Sequence, residues 1–301
     1  MTPRDLFRLL RVKQWTKNVF VLAAFVFTKG WERPEAIRGA IVAFAAMTLA
    51  SVAMYLVNDL LDREADRAHP VKRERPIASG RVNMPTAIAF FAAALIGSLV
   101  IAVVGLPSDG GPHFGLAVVV LTYMGLQVAY NLILKRTPVA DVATIATGFV
   151  LRVVAGAVAI EAPLSGWILL CTGFLALLLG FGKRRHEFHL AGHDLASTRP
   201  ALVGYTAASL DSLLAISGAC AAISYGVYSI ESVSAKQYPG LVLTTPFVVY
   251  GVLRYLTLVM AGEGGEPESL VLKDVQLIVV FVGFLVAAFA ALSGLRMSFL
   301  Q

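Results

Sequence analysis

Charge is scarce in this chain: Asp, Glu, Lys and Arg make up 15% of 301 residues, against roughly 25% in soluble domains. That is too little to cover an ordinary water-facing surface. Cysteine is rarer still. Cys171 and Cys220 both fall in apolar stretches without metal-type spacing, so they read as buried thiols. No small-residue cleavage site follows the first apolar run, and no cleavable signal is expected. No nucleophile–His arrangement stands out, and no motif supports nucleic-acid binding. Low-complexity segments and convincing internal repeats are lacking too.

Apolar residues are abundant, at 57% of the chain with a mean hydropathy of +0.75. A membrane span needs about 20 such residues. Nine candidates lie near 18–32, 39–59, 86–106, 114–133, 139–160, 163–181, 203–228, 241–260 and 275–297. The first is short, and 203–228 is long and less apolar. The expectation is an all-α integral membrane protein with residues 1–301 as one polytopic domain. Lys and Arg retained on the cytoplasmic side fix orientation. With the N-terminus in the cytoplasm, that side receives Arg4, Arg8, Arg11, Lys13 and Lys17, then the clusters at 63–81, 135–136 and 183–199, and Arg254 and Lys273. The opposite side receives only Lys29, Arg33, Arg38, Lys236 and Arg296, and Arg152 is left inside a span. The expected location is a bacterial inner membrane with a cytoplasmic N-terminus. Both long polar stretches, 60–85 and 182–202, then face the cytoplasm, which makes that the functional surface.

The stretch Asn58–Gly80 reads NDLLDREADRAHPVKRERPIASG and begins where an apolar run reaches water. Asn58, Asp62 and Asp66 recur every four residues. At about 100° per residue they drift by ~40° per step and share one helix face. Tyr55 lies one turn earlier, and Pro76 and Gly80 are expected to end the helix. Amide and carboxylate oxygens suit Mg²⁺, which keeps several waters and bridges to substrate phosphates. Lys72, Arg73, Arg75 and Arg81 suit the phosphates themselves. The alternative is an amphipathic exit helix with salt bridges in a charged loop. Three oxygen ligands on one face, emerging from a membrane helix, favour the metal–diphosphate reading.

In the fourth span, Tyr123, Gln127, Tyr130, Asn131 and Lys135 form one polar stripe, which should face the bundle interior or a cavity. Interhelical hydrogen bonding explains Tyr123 and Gln127 equally well, whereas Tyr130 and Lys135 favour function. The sequence GKRRHEFHLAGHD carries the basic triplet Lys183, Arg184 and Arg185, with Glu187 four residues after Lys183. That spacing also fits a plain helix salt bridge, and the triplet an ordinary topogenic anchor. His186, His189 and His193 lack nearby acidic support and are not expected to hold metal. Asp141 and Arg152 lie about 16 Å apart along one helix, too far to pair directly. Arg152 must therefore pair with another span or line a cavity. In RVKQWTKN, Lys13 and Lys17 flank Trp15. This is either a basic-aromatic interfacial anchor or, for Lys17, a contact to a lipid phosphate.

These residues resemble the UbiA superfamily of membrane-embedded prenyl-group enzymes, through the motif N-D-x-x-D-x-x-x-D at Asn58, Asp59, Asp62 and Asp66. The resemblance implies nine transmembrane helices around a central cavity open to the cytoplasm. One departure is informative. Prenyltransferases of the superfamily carry a second acidic pair between spans 6 and 7, and here a basic triplet stands there instead. The stretches LRVKQWTKN, KRERPIASG and YNLILKR point to the branch that moves a phosphoribosyl group onto decaprenyl phosphate. That branch implies 5-phosphoribosyl 1-diphosphate as donor, a polyprenyl phosphate acceptor, Mg²⁺, a homotrimer and a role in cell-wall arabinan precursor synthesis. By the same resemblance, Asn58 and Asp62 hold the metal, with Asp59 and Asp66 behind them. Lys72, Arg75, Tyr130, Lys135, Lys183, Arg184 and Arg185 bind the donor, and Lys17 and Tyr55 the acceptor phosphate. Two other readings compete. A UbiA-type prenyltransferase with a prenyl diphosphate donor predicts the missing acidic pair. A transporter of a phosphorylated metabolite predicts broken helices and inverted repeats.

Overall fold

The computed structural model describes residues 2–68, 71–106, 114–191, 199–263, 265, 270 and 273–293. His193, Asp194 and Arg296 lie outside them. All regular structure among the described residues is helical. The α-helices are α1 Pro3–Leu9, α2 Ala23–Phe27, α3 Pro34–Leu61, α4 Arg63–Ala68, α5 Met84–Val104 and α6 Phe114–Leu132. They continue with α7 Ala140–Ala159, α8 Gly166–Ala191, α9 Ala207–Glu231, α10 Val233–Gln237, α11 Thr245–Met260 and α12 Val275–Leu292.

Eight helical stretches are long and apolar enough to cross a membrane: α3, α5, α6, α7, α8, α9, α12 and Pro239–Met260, which contains α11. The chain is a multi-span membrane protein. Outward apolar side chains support this physically. On α5, Ile96, Val100 and Val104 recur every four residues and are all exposed, a stripe that is tolerable only against lipid.

Three sequence expectations differ from the structure. The stretch 18–32 is not among those eight. It consists of a 3-10 run, Val12–Leu22, the short α2, and a 3-10 turn, Gly30–Glu32. Gly156 of α7 explains how that run packs so closely, since a Cβ there would stand 1.8 Å from the Val21 carbonyl oxygen. Second, the helix bearing the acidic motif ends at Leu61, with Asp62 as its cap, and not at Pro76 or Gly80. Third, α8 continues to Ala191, so the basic triplet sits on a helix and not in a loop.

The chain contacts gather into two compact units, Met1–Asn131 with Leu151–Ala162, and Leu132–Val150 with Pro163–Gln301. In the first unit, α3 packs on α5, where the Ser98 hydroxyl donates to the Ala46 carbonyl at 2.8 Å; small side chains let helix backbones approach closely. In the second, α8 packs on α9 around Leu178, Phe181, Leu210 and Leu214. Each unit carries one part of the candidate chemistry.

Candidate functional site

The acidic motif of the first unit sits on a near-continuous helical path. The Asp62 N–H donates to the Asn58 carbonyl at 2.9 Å, and the Asp66 N–H to the Asp62 carbonyl at 2.8 Å. The register therefore survives the break between α3 and α4. The four polar residues do not share one environment. Asp59 and Asp66 are buried, at 4% and 3% exposure, while Asn58 and Asp62 are partly open.

Arg75 accounts for the buried pair. Its Nη1 donates to Asp66 at 2.6 Å and to Asp59 at 3.1 Å, bridging two carboxylates seven residues apart. Asp59 also accepts from Arg11. The Arg11 guanidinium lies 4.8 Å from the centre of the Tyr55 ring, a cation–π distance. Arg11 adopts a left-handed φ of 49° to reach there, a conformation that a non-glycine side chain holds only when its surroundings compel it. The loop bearing Arg75 is fastened on both sides. Arg67 Nε donates to the Ala78 carbonyl at 3.0 Å, Arg81 pairs with Asp5 at 3.0 Å, and Ile77 is buried.

The partly exposed oxygen donors of the motif are the Asn58 amide and the Asp62 carboxylate, one turn apart. Among the described residues no three His, Cys, Asp or Glu side chains gather to enclose a metal ion. Two partly exposed hard oxygen donors fit Mg²⁺, which takes its remaining ligands from water and substrate phosphates. They do not make a closed cage of the kind Ca²⁺ prefers.

Arg152 belongs to the same unit, and the structure supplies the partners that its sequence position withholds. Its Nε donates to Asn18 Oδ1 at 2.7 Å, and its Nη2 to the Tyr123 hydroxyl at 3.0 Å and to Ser51 at 3.3 Å. Asn18 in turn donates to Thr48 at 3.0 Å, and Gln127 to Tyr123 at 3.0 Å. Tyr123 thus serves interhelical hydrogen bonding, the less functional of its two readings, while the Gln127 bond to it lies within α6. The network ties the 3-10 run, and with it Lys17 next to Asn18, to the spans. Lys17, Tyr55, Lys72 and Tyr130 are all partly exposed.

The second unit carries Lys135, Lys183, Arg184 and Arg185. Lys183 is exposed and Lys135 partly so. Arg184 is 2% exposed, and its guanidinium donates to Asp141 at 2.6 Å and to Glu187 at 2.7 Å. Glu187 also pairs with Arg199 at 3.3 Å. Arg185 Nε donates to Asp211 at 2.5 Å, and its Nη1 to the Val259 carbonyl at 2.9 Å, which stitches α8 to α9 and α11. Asp141 is fully buried and accepts a second bond, from the Tyr205 hydroxyl at 2.9 Å. Burial pushes the Tyr205 phenol above its ordinary range, so it stays protonated and able to donate.

Sequence reasoning missed the parts played by Arg11 and Tyr205, and the partners of Asp141. Arg11 looked like one of five N-terminal cations. Nothing in the spacing ties Asp141 to Arg184, 43 residues away.

Comparisons with known proteins bear on the family and the fold. The sequence model of the UbiA prenyltransferase family matches residues 18–263. The chain is 35% identical over 271 residues to the decaprenyl-phosphate phosphoribosyltransferase of Mycobacterium tuberculosis, covering 89% of this chain and 87% of that one. It is 35% identical over 293 residues to the protein of the same name from Mycolicibacterium smegmatis, covering 93% and 90%. Its fold is similar to that of a UbiA homolog from Archaeoglobus fulgidus bound to GPP and Mg²⁺, with a TM-score of 0.69, 20% identity, and coverage of 96% and 99%.

Proposed function

We propose a function from the premise that the chain belongs to the UbiA prenyltransferase family: it is a Mg²⁺-dependent phosphoribosyltransferase acting on a polyprenyl phosphate. The donor is 5-phosphoribosyl 1-diphosphate. The products are decaprenylphosphoryl-5-phosphoribose, or its homologue of other chain length, and diphosphate. The product is a precursor for cell-wall arabinan. The enzyme works at the cytoplasmic face of a bacterial inner membrane, as a homotrimer.

The observation that carries this reading is the likeness to decaprenyl-phosphate phosphoribosyltransferases over nine-tenths of the chain. The basic triplet Lys183–Arg185, where prenyltransferases of the family carry an acidic pair, supports the same donor. A prenyl diphosphate has one phosphorylated end. Phosphoribosyl diphosphate has two, and the second calls for additional cations.

Asn58 and Asp62 hold the metal. When bound, it neutralises the charge that develops on the departing diphosphate. Asp59 and Asp66, fixed by Arg75, keep the end of α3 and α4 in register so that Asn58 and Asp62 present their oxygens together. Lys135, Lys183, Tyr130 and Lys72 bind the donor phosphates. Arg184 and Arg185 act indirectly, because their guanidinium groups are committed to Asp141, Glu187 and Asp211. Arg75 likewise acts through the two aspartates. Lys17 and Tyr55 receive the lipid phosphate, with the tail left between helices or in the bilayer.

Chemically, an oxygen of the lipid phosphate attacks ribose C1 as the C1–diphosphate bond breaks, with inversion at C1. The phosphomonoester is mostly ionised at neutral pH, its second pKa being about 6, so no strong general base is required. Heat protection of the purified protein tests the donor assignment. Phosphoribosyl diphosphate with Mg²⁺ should raise the unfolding temperature more than geranyl diphosphate with Mg²⁺ does. The reverse order refutes it.

A further inference from the structure

The loop that carries Lys135 contains an unusual residue. After α6, a 3-10 turn, Leu134–Arg136, leads into Thr137, which is extended at φ −102° and ψ 122°, as the position before a proline requires. Pro138 follows, and then Val139 at φ 65°. A β-branched side chain in the left-handed region is a genuine outlier, and it persists only where the surroundings over-determine it. Val139 is itself exposed, so its own side-chain packing does not compel this conformation.

Two contacts do. The Val139 N–H donates to the Tyr205 hydroxyl at 2.5 Å. Pro138 is wedged against Gly204, where a Cβ would stand 2.3 Å from Pro138 Cγ. Tyr205 is held in turn. Its hydroxyl proton goes to Asp141 at 2.9 Å, and Asp141 is fixed by Arg184 at 2.6 Å. The Asp141 carboxylate has one oxygen on Tyr205 and the other on Arg184. The phenol donates to Asp141 and accepts from Val139. The chain runs from α8, beside Lys183, through α7, to the strained turn four residues after Lys135.

We infer that Tyr205, Asp141 and Arg184 are positioning residues: they hold the Pro138–Val139 turn in its strained form and so set Lys135 to receive a phosphate of the donor. The inference rests on the reading of Lys135 as a donor ligand. It explains why a basic residue of the triplet is buried where it meets no substrate, since Arg184 orients the aspartate that orients the tyrosine. Without the phenol, the turn relaxes toward an ordinary φ, and Lys135 moves with the loop.

Binding of inorganic diphosphate in Mg²⁺ buffer, measured by calorimetry on the purified full chain, tests this without requiring turnover. Y205F should weaken binding roughly tenfold, the scale of one charge-assisted phosphate contact. K135A should weaken it similarly, and Y205F/K135A should be no worse than K135A alone, because the two act through one contact. Glycine accepts a positive φ at no steric cost, so V139G should restore most of the affinity lost in Y205F. G204A is a second perturbation that leaves every donor in place, and it should weaken binding by displacing Pro138. Wild-type affinity in both Y205F and G204A overturns the inference. So do wild-type affinity in K135A, losses that multiply in Y205F/K135A, and a Y205F defect that V139G leaves untouched. Failure of the functional reading shows elsewhere: the wild type would bind diphosphate but transfer no phosphoribosyl group.

Discussion

Replacing Arg75 by alanine removes the bridge between Asp59 and Asp66. Its size follows from burial. The Arg75 side chain is 28% exposed, and the two aspartate side chains are 5% and 4% exposed. An exposed ion pair is worth about 0–1 kcal/mol, while removing one partner of a fully buried pair costs about 3–5 kcal/mol. A partly exposed guanidinium on two covered carboxylates lies between, at roughly 2 kcal/mol. Asp59 keeps Arg11, so most of the loss falls on Asp66. At an unfolding entropy of about 2.1 cal/mol/K per residue, that corresponds to a fall of about 3 °C in the thermal midpoint for a chain of this length. R75K should recover less than half, because one ammonium cannot reproduce a planar fork across two acids. Mg²⁺ should stabilise R75A more than the wild type, since a cation can take the place of the guanidinium. Thermal unfolding in detergent, with and without Mg²⁺, reads all three. An R75A midpoint equal to that of the wild type would refute the claim that Arg75 holds the motif.

Further outcomes follow from the same geometry. Asp62→Ala should abolish transfer while the protein still folds, because Asp62 is a partly open helix cap; near-normal activity in Mg²⁺ contradicts its role. Lys17→Ala should raise the KM for lipid acceptor about tenfold or more, the loss expected for one charge-assisted phosphate contact, and leave the donor KM unchanged; a rise in the donor KM alone moves Lys17 to the donor site. Gly156→Ala should lower the thermal midpoint sharply, since its Cβ would meet the Val21 backbone at 1.8 Å. A midpoint unchanged in Gly156→Ala would mean that the 3-10 run does not depend on this close approach.

The membrane class and the positions of the eight long helices were legible in hydropathy, because length and composition alone decide them. So was the acidic motif, whose four-residue spacing survives the break at Asp62. Residues 18–32 were not legible as 3-10 and short helical pieces. Their conformation depends on Gly156 and on the Asn18–Arg152 bond, across 134 residues. The different fates of the four motif residues also escaped pattern reasoning. A shared helix face says nothing of which carboxylates a distant Arg75 will claim. The basic triplet was visible as charge, but only the fold separates exposed Lys183 from buried Arg184.

The measurement that tests the central claim most directly is transfer itself. The purified protein is supplied with polyprenyl phosphate, Mg²⁺ and labelled 5-phosphoribosyl 1-diphosphate, and the lipid extract is counted. A parallel reaction contains labelled prenyl diphosphate and an aromatic acceptor. The account predicts label in the lipid from the first reaction, lost with EDTA or Asp62→Ala, and none transferred in the second. Transfer of the prenyl group in the second reaction, with an unlabelled lipid in the first, contradicts it.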